Sequence, residues 1–168
     1  MMHKTWLLLG ANEGNILQTF DEVRTLLNER VGEIVASSDI HTSEAWNMDS
    51  DTVFLNQALE INTFLQPLQV LDICKEIERI LGRETSFDCG SNGSSHLRQS
   101  CEYQSRPIDI DIIFYDDIIY NNPRLFIPHP LAHIRQFVLR PLSDICPDKL
   151  HHVYGKTVQE LLSSLQYC

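Results

Sequence analysis

The stretch RPIDIDIIFYDD, residues 106 to 117, decides how this sequence folds. Isoleucines at every second position from 108 to 112 are typical of a β-strand with one face in a core. Asp109 and Asp111 stand between them, and side chains two residues apart on a strand project from the same face. The sequence therefore predicts a buried strand that carries two carboxylates roughly 6 to 7 Å apart on its other face. Asp116 and Asp117 are predicted to form the turn that ends it.

The elements predicted around this strand give a recognisable order. Apolar periodicity, proline and glycine predict a strand at residues 5–10, a helix at 16–31, strands at 33–45 and 54–65, and a helix at 67–81 before the aspartate strand. This β-α-β-β-α-β order is that of a ferredoxin-like core, an α+β fold in which helices pack on an antiparallel sheet. Two further helices, around 129–137 and over 158–165, are expected as a C-terminal extension.

Composition limits the class of protein. A chain of 168 residues with 43% hydrophobic residues is predicted to form one domain over 1–168. The net charge of −10 argues against general affinity for nucleic acid or an anionic membrane, so any phosphate site must be local. The first apolar run has four residues, too few to span a membrane. Five cysteines without a CxxC pair favour a reducing cytoplasm over a disulfide framework or zinc ribbon.

A long polar segment precedes the aspartate strand. Residues 84–105 are rich in Ser, Gly, Asn and Gln and show no apolar periodicity. Segments of this length are usually lids or disordered, and a tolerated surface insertion is the alternative. Because the segment leads to Arg106 at the edge of the strand, we expect a mobile loop over an active site.

The two aspartates suggest a cation site. Oxygen ligands suit Mg²⁺, which takes one or two carboxylates together with substrate phosphates. The alternative is that Asp109 and Asp111 simply form the polar outer face of an amphipathic strand. His129 and His133 have the spacing of a metal pair, but Pro130 and the lack of a third nitrogen or sulfur ligand favour nucleotide contact or packing.

Five motifs occur in the order in which one enzyme family carries them. They are LLLGANEGN (7–15), FLNQALEINTFLQPLQVL (54–71), IERILGR (77–83), RPIDIDII (106–113) and IPHPLAHIRQFVLRPL (127–142). Together they resemble the 6-hydroxymethyl-7,8-dihydropterin pyrophosphokinase family of folate biosynthesis. The resemblance implies transfer of the β,γ-pyrophosphoryl group of ATP to the hydroxymethyl oxygen of the pterin, with release of AMP.

The resemblance also implies catalytic roles. Asp109 and Asp111 would hold two Mg²⁺ ions that bridge the ATP phosphates, and Arg83 and Arg106 match arginines of the family's mobile loop. These roles agree with the chemistry, because such transfers mainly require positioning and charge neutralisation. Guanidinium groups are well shaped for phosphate oxygens.

Five further residues match the family's ATP site. Arg124 and Arg135 correspond to arginines near the phosphates, and His129 corresponds to a nucleotide-contacting histidine. Lys75 and Glu78 lie on the helix side expected near the nucleoside. For each arginine taken alone, the simpler interpretation is a solvated surface side chain.

For the pterin, the resemblance places Phe54 and Phe137 on opposite faces of the flat ring. Aromatic stacking combined with an amide at the ring edge is a sound way to hold a planar heteroaromatic ligand. Without the resemblance, both phenylalanines would be assigned to the core. The polar contacts would come from Asn56 and from backbone groups of Thr42, Ser43 and Ala45.

The expected partners are therefore ATP and the hydroxymethyl-dihydropterin, bound by a monomer without nucleic acid or membrane. A non-enzymatic sensor built on the same architecture is the alternative. Such a sensor would not need the Asp-x-Asp pair with Arg106, and it would bind ligand without releasing AMP. RNA binding is disfavoured by the acidic balance and by the lack of paired aromatic and basic strands.

Overall fold

A computed structural model of the protein describes residues 1–44, 53–82 and 108–166. The loop predicted at 84–105 lies outside these ranges. The elements are β1 (His3–Ala11), α1 (Ile16–Arg30), β2 (Gly32–Ser37), β3 (His41–Glu44), β4 (Val53–Thr63), α2 (Pro67–Gly82), β5 (Asp109–Tyr115), β6 (Tyr120–Asn122), β7 (Leu125–Ile127), a 3₁₀ turn (Ala132–Ile134), α3 (Gln136–Ile145), β8 (Leu150–His151), β9 (Lys156–Thr157) and α4 (Val158–Gln166).

The main sheet is antiparallel and confirms the predicted ferredoxin-like core. Its strand order is β2-β4-β1-β5, and β3 also pairs with β4. The single strand predicted over 33–45 is in fact two, β2 and β3. They separate at Ser38, whose hydroxyl oxygen accepts the Ala58 N–H at 2.9 Å and so takes the place of a backbone partner.

One face of the sheet packs against α1 and α2. Alternate residues of the central strands point into this core, because side chains on a strand alternate between faces. Its buried members include Leu7 and Leu9 of β1, Leu59 and Ile61 of β4, Ile110 and Ile112 of β5, Phe20, Val23 and Leu27 of α1, and Val70, Cys74 and Ile77 of α2.

The C-terminal extension covers the opposite face. Its buried cluster joins Trp6, Leu8, Ala58 and Phe114 of the sheet to Val138, Leu139 and Leu142 of α3 and to Leu161 and Leu162 of α4. The sheet is therefore enclosed on both faces, except where polar residues interrupt the second one.

The two helices predicted for the extension had different outcomes. The helix at 158–165 is confirmed as α4, which begins with a capping box in which Thr157 and Glu160 exchange hydrogen bonds of 2.7 and 3.2 Å. The prediction of a helix around 129–137 is wrong for most of these residues. Arg135 has extended backbone angles (φ −107°, ψ 107°), which separate the short 3₁₀ turn from α3.

Lys149 fastens the extension to the end of β5. Its ammonium donates 2.5 Å hydrogen bonds to the Asp116 carbonyl and to the Asp117 carboxylate, and it lies 4.3 Å from the centre of the Trp6 ring. Hydrogen bonds from Lys149 and His152 lower the pKa of Asp117. Asp116 has a positive φ of 43°, as suits the predicted turn after β5.

Cys74 and Cys146, the cysteines in the part of the chain that the structure describes, are free thiols. Burial raises the pKa of each to about 12. Such thiols are largely unreactive. Within the same ranges, no helix is both long enough and apolar enough to cross a membrane.

His151 is a buried titratable group in the extension. It is 2% exposed, and its ring lies 5.7 Å from Phe114 and 4.9 Å from Tyr154, between ring centres. Neither ring nitrogen has a hydrogen-bond partner among the described residues. Burial, with a smaller contribution from His133, lowers the pKa of His151 to about 4.

Acidification is therefore expected to weaken the fold through His151. The unfolded chain takes up this proton near pH 6.5, whereas the folded chain takes it up near pH 4. The contribution of neutral His151 to the free energy of unfolding is therefore complete above pH 6.5. About 1 to 3 kcal/mol of it is lost as the pH falls towards 4. Urea unfolding at a series of pH values measures this loss. His151→Phe should decline less steeply over the interval, and equal slopes in the two proteins would exclude His151 as the cause.

Candidate active site

Asp109 and Asp111 lie on the sheet face that the extension covers. In the pairing of β5 with β1, Asp109 is opposite Gly10 and Asp111 is opposite Leu8, a member of the second core. Directly paired residues of antiparallel strands share a face. Both carboxylates are half-buried, while Ile110 between them is 1% exposed in the first core. The alternation predicted from the sequence is present.

Gly10 contributes no side chain to the centre of this face, which leaves an opening among the described residues. It pairs with Asp109 on one side and with Asn56 of β4 on the other. A side chain added at Gly10 would begin 3.4 Å from Asn56 Oδ1. Since neighbouring strands are about 4.8 Å apart, the amide and the carboxylate flank an opening roughly 10 Å across at the backbone.

Glu78 of α2 holds the backbone of β5. Its carboxylate accepts the Ile110 N–H at 2.7 Å and the Lys75 ammonium at 3.0 Å, and the residue is 8% exposed. Because β5 is the last strand of the sheet in the described part of the chain, Glu78 satisfies a main-chain donor that no other described strand reaches. It therefore fixes the peptide between the two aspartates.

The charges around Glu78 connect it to the aspartates. Burial raises its pKa, and the Ile110 N–H and Lys75 oppose that rise. Burial alone would lower the pKa of Lys75, but the hydrogen bond to Glu78 and the charges of Asp109 and Asp111 raise it overall. A cation is thus held beside the carboxylate pair.

His129 and Arg135 approach the same region from the segment after β7. The His129 N–H donates to the Ile113 carbonyl at 3.0 Å, so a second main-chain group of β5, after the Ile110 N–H, has a hydrogen-bond partner. Burial lowers the pKa of His129, the Arg135 charge lowers it further, and Asp109 acts in the opposite sense. The imidazole is therefore neutral near pH 7, within the fields of both a guanidinium and a carboxylate.

Arg124 is placed differently from the other predicted ATP residues. It lies in the turn between β6 and β7, is more than half exposed, and forms an ion pair with Asp72 of α2. Asp72 is one helical turn before Lys75. The structure thus brings Arg124 to the α2 side of β5 without a described contact to Asp109 or Asp111.

Asn56 and Ser43 form the polar part of the predicted pterin site. Asn56 is 3% exposed, and its Nδ2 donates to Ser43 Oγ at 2.9 Å. β3 and β4 pair so that Ser43 is opposite Phe54 and His41 is opposite Asn56, which puts these four residues on the face of Gly10. Thr42 is exposed, and its side chain projects from the opposite face of β3.

Phe137 is in the first turn of α3, a helix that packs on both β3 and β4. It is half-buried against the second core, and the Arg135 guanidinium lies 5.7 Å from its ring centre. Phe54 and Phe137 are therefore supplied by two elements that meet over this face.

Three predicted site residues, Ala45, Arg83 and Arg106, lie outside the described residues. Over the ranges that are described, no three His, Cys, Asp or Glu side chains group closely enough to hold a metal ion. His133 stacks instead on Tyr154, with 4.1 Å between ring centres.

Sequence reasoning missed a hydrogen bond beside the site. His41 Nε2 lies 2.7 Å from Asp144 Oδ2, which links β3 to α3. The only signals were the two-residue spacing of His41 from Ser43 and the seven-residue spacing of Asp144 from Phe137. Neither spacing specifies a partner.

Comparison with known proteins shows which family this chain resembles. The chain is 35% identical over 145 residues to 2-amino-4-hydroxy-6-hydroxymethyldihydropteridine pyrophosphokinase of Porphyromonas gingivalis, which covers 84% of this chain and 90% of that protein. It is 35% identical over 164 residues to the folic acid synthesis protein FOL1 of Dictyostelium discoideum, covering 95% of this chain and 22% of that protein.

The fold is shared with solved structures at lower identity. A crystal structure of Plasmodium falciparum HPPK-DHPS with pteroate aligns with a TM-score of 0.75 and 15% identity, over 98% of this chain and 44% of that one. The family model for 7,8-dihydro-6-hydroxymethylpterin-pyrophosphokinase matches residues 6–147. The chain belongs to the 7,8-dihydro-6-hydroxymethylpterin-pyrophosphokinase family.

Proposed function

We propose that the open face around Gly10 is where this chain carries out its reaction, with Asp109 and Asp111 at the centre. As a member of its family, the chain is an ATP-dependent diphosphotransferase of folate biosynthesis that forms AMP and the pterin diphosphate. The observation that carries the assignment of the site is the pair of carboxylates on β5, whose backbone Glu78 holds.

The carboxylate pair suits magnesium. Mg²⁺ prefers oxygen ligands and commonly keeps places for water and phosphate. Asp109 and Asp111, half-buried on one face of β5, supply oxygen ligands of this kind. We assign two Mg²⁺ ions to Asp109 and Asp111. When bound, they would neutralise phosphate charge and orient the transferred group.

The remaining phosphate charge would be neutralised by cationic side chains around the two aspartates. Lys75 is held beside the aspartates by Glu78, and Arg135 lies next to His129. We assign Arg83, Arg106, Arg124 and Arg135 to the phosphates and Lys75, Glu78 and His129 to the nucleotide. A neutral His129 can donate or accept a hydrogen bond there without adding charge.

The pterin is assigned to the opening between Asn56 and the aspartates. The hydrogen bond to Ser43 orients the Asn56 amide, and its oxygen faces Gly10. An acceptor in that place suits the N–H donors along the edge of a pterin. Phe54 and Phe137 are assigned to the two ring faces, and Thr42, Ser43 and Ala45 to backbone hydrogen bonds.

In this arrangement the hydroxymethyl oxygen attacks the β-phosphorus of ATP. An O–P bond forms, the bond from the β-phosphorus to the oxygen bridging it to the α-phosphate breaks, and AMP leaves while the hydroxyl proton is released. The chain contributes mainly by alignment and by balancing charge, as phosphoryl-type transfers require. We extend the proposal to a monomer, as the family resemblance suggests, and to a cytoplasmic protein without nucleic-acid or membrane partners, as the cysteine spacing and the acidic charge favour.

Removing one carboxylate tests the centre of the site. Asp111→Ala should reduce AMP formation from ATP, Mg²⁺ and hydroxymethyl-dihydropterin by about a thousandfold or more, because charge neutralisation is lost. Its stability to urea should change by less than about 1 kcal/mol, since the side chain is half-exposed. Asp148→Ala, an exposed aspartate on the extension, is the matched control. Wild-type turnover by Asp111→Ala would refute the metal assignment. Ligand binding without AMP release by the wild type would instead indicate a sensor.

Truncating the stacking residue tests the pterin site. Phe137→Ala should raise the KM for the pterin by about 5- to 100-fold, because an aromatic stacking surface is lost. The KM for ATP should change less than twofold. Steady-state kinetics with each substrate varied in turn measures both constants. Equal rises in the two constants would place Phe137 outside a specific pterin contact.

Removing the Glu78 carboxylate tests its hold on β5. Glu78→Ala leaves the buried Ile110 N–H without an acceptor and should lower the free energy of unfolding by about 1 to 3 kcal/mol. Glu78→Gln keeps an oxygen for that N–H and should lose less, although it gives up the charge that pairs with Lys75. Urea unfolding of both variants gives the comparison. A larger loss for Gln than for Ala would contradict the assigned hydrogen bond.

A further inference from the structure

We propose that the hydrogen-bonded pair of His41 and Asp144 is a positioning pair that sets affinity for the pterin by fixing β3. The inference rests on the proposed pterin site, to which β3 contributes Ser43. Neither His41 nor Asp144 would touch substrate. They would act through the strand that holds the orientation of the Asn56 amide.

The pair joins two elements that carry predicted pterin residues. His41 Nε2 and Asp144 Oδ2 are 2.7 Å apart, and their side chains are 28% and 33% exposed. His41 is directly opposite Asn56 in the pairing of β3 with β4. The bond therefore starts at the cross-strand partner of Asn56 and ends on α3, the helix that carries Phe137.

On α3, Asp144 and Phe137 belong to one stripe. Residues at i, i+4 and i+7 of a helix share a side, which places Phe137, buried Pro141 and Asp144 in line. Seven residues of helix span about 10 Å. His41 and Ser43 likewise share one side of β3. The hydrogen bond between His41 and Asp144 thus joins strand to helix at one end of the contact, and Phe137 lies at the other end.

β3 needs this second attachment. It has four residues, His41–Glu44, and β4 is its sole strand partner within the described ranges. Short strands at the edge of a sheet are weakly held by backbone hydrogen bonds alone. If β3 shifts, Ser43 Oγ shifts with it, and the 2.9 Å bond that orients the Asn56 amide is lost. The expected effect is on substrate affinity.

The size of the effect follows from the exposure of the pair. A charge-assisted hydrogen bond between partly exposed groups contributes about 1 kcal/mol or somewhat more. We therefore expect a rise of about threefold to tenfold in the KM for the pterin when the pair is broken.

The experiment compares variants that break or keep the pair. Asp144→Asn and His41→Gln should each raise the KM for the pterin by that factor and leave the KM for ATP within about twofold of wild type. The double variant should be no worse than either single one, because both remove the same interaction. His41→Arg keeps a hydrogen-bond donor opposite Asp144 and should restore a KM near that of the wild type.

A matched control separates the positioning of β3 from the loss of any polar contact between two elements. Arg30 and Glu76 join α1 to α2 at 2.6 Å with exposures of 33% and 43%, close to those of His41 and Asp144. Glu76→Gln should leave both KM values unchanged. Urea unfolding of every variant reports its stability.

The outcomes distinguish two failures. If Phe137→Ala raises the KM for the pterin while Asp144→Asn and His41→Gln leave it unchanged, the pair is only structural and the positioning role is refuted. If none of the three variants changes that constant, the pterin assignment itself fails, and this inference fails with it. The proposal is supported if Asp144→Asn raises the KM for the pterin while His41→Arg does not, and if the double variant is no worse than either single variant.

Discussion

The N–H of Ile110 must find an acceptor on the outer side of β5, where no further strand of the described ranges pairs with it, and Glu78 supplies one. A buried backbone donor left unpaired is costly, so the contact constrains the spacing of α2 from β5. His129 meets the same edge at the Ile113 carbonyl. Because Asp109 and Asp111 flank the peptide held by Glu78, the direction of both carboxylates depends on this contact. The neighbouring cation Lys75 is fixed by the same group.

Much of the fold could be predicted because its signals are local. Alternation in β4 and β5 and the helical stripes of α1, α2 and α4 reflect contacts with one core face each. The errors have nonlocal causes. The division of the 33–45 strand depends on Ser38 bonding to Ala58, twenty residues away. The late start of α3 follows the extended backbone of Arg135, after a segment whose His129 N–H bonds to the Ile113 carbonyl of β5.

The candidate site was predictable to a similar depth and for similar reasons. Asp109 and Asp111 share a face by strand geometry alone, and the structure agrees. Periodicity could not predict that Glu78 binds main chain, or that His41 meets Asp144 across 103 positions. Such pairs form only when separate elements are assembled. Family resemblance supplies residue roles, but it does not specify which neighbour holds each residue in place.

Gly10 gives the opening a floor made of main chain, since the central strand contributes no side chain there. The width between Asn56 and Asp109 is consequently set by the spacing of hydrogen-bonded strands, a dimension that substitutions scarcely alter. Substitutions in the surrounding side chains can change the polarity of the site and its affinity for a ligand, whereas the width of the ligand that fits stays nearly constant. Divergent relatives that keep a glycine at this point should therefore differ in how strongly they hold a flat ring more than in the breadth of ring they accept.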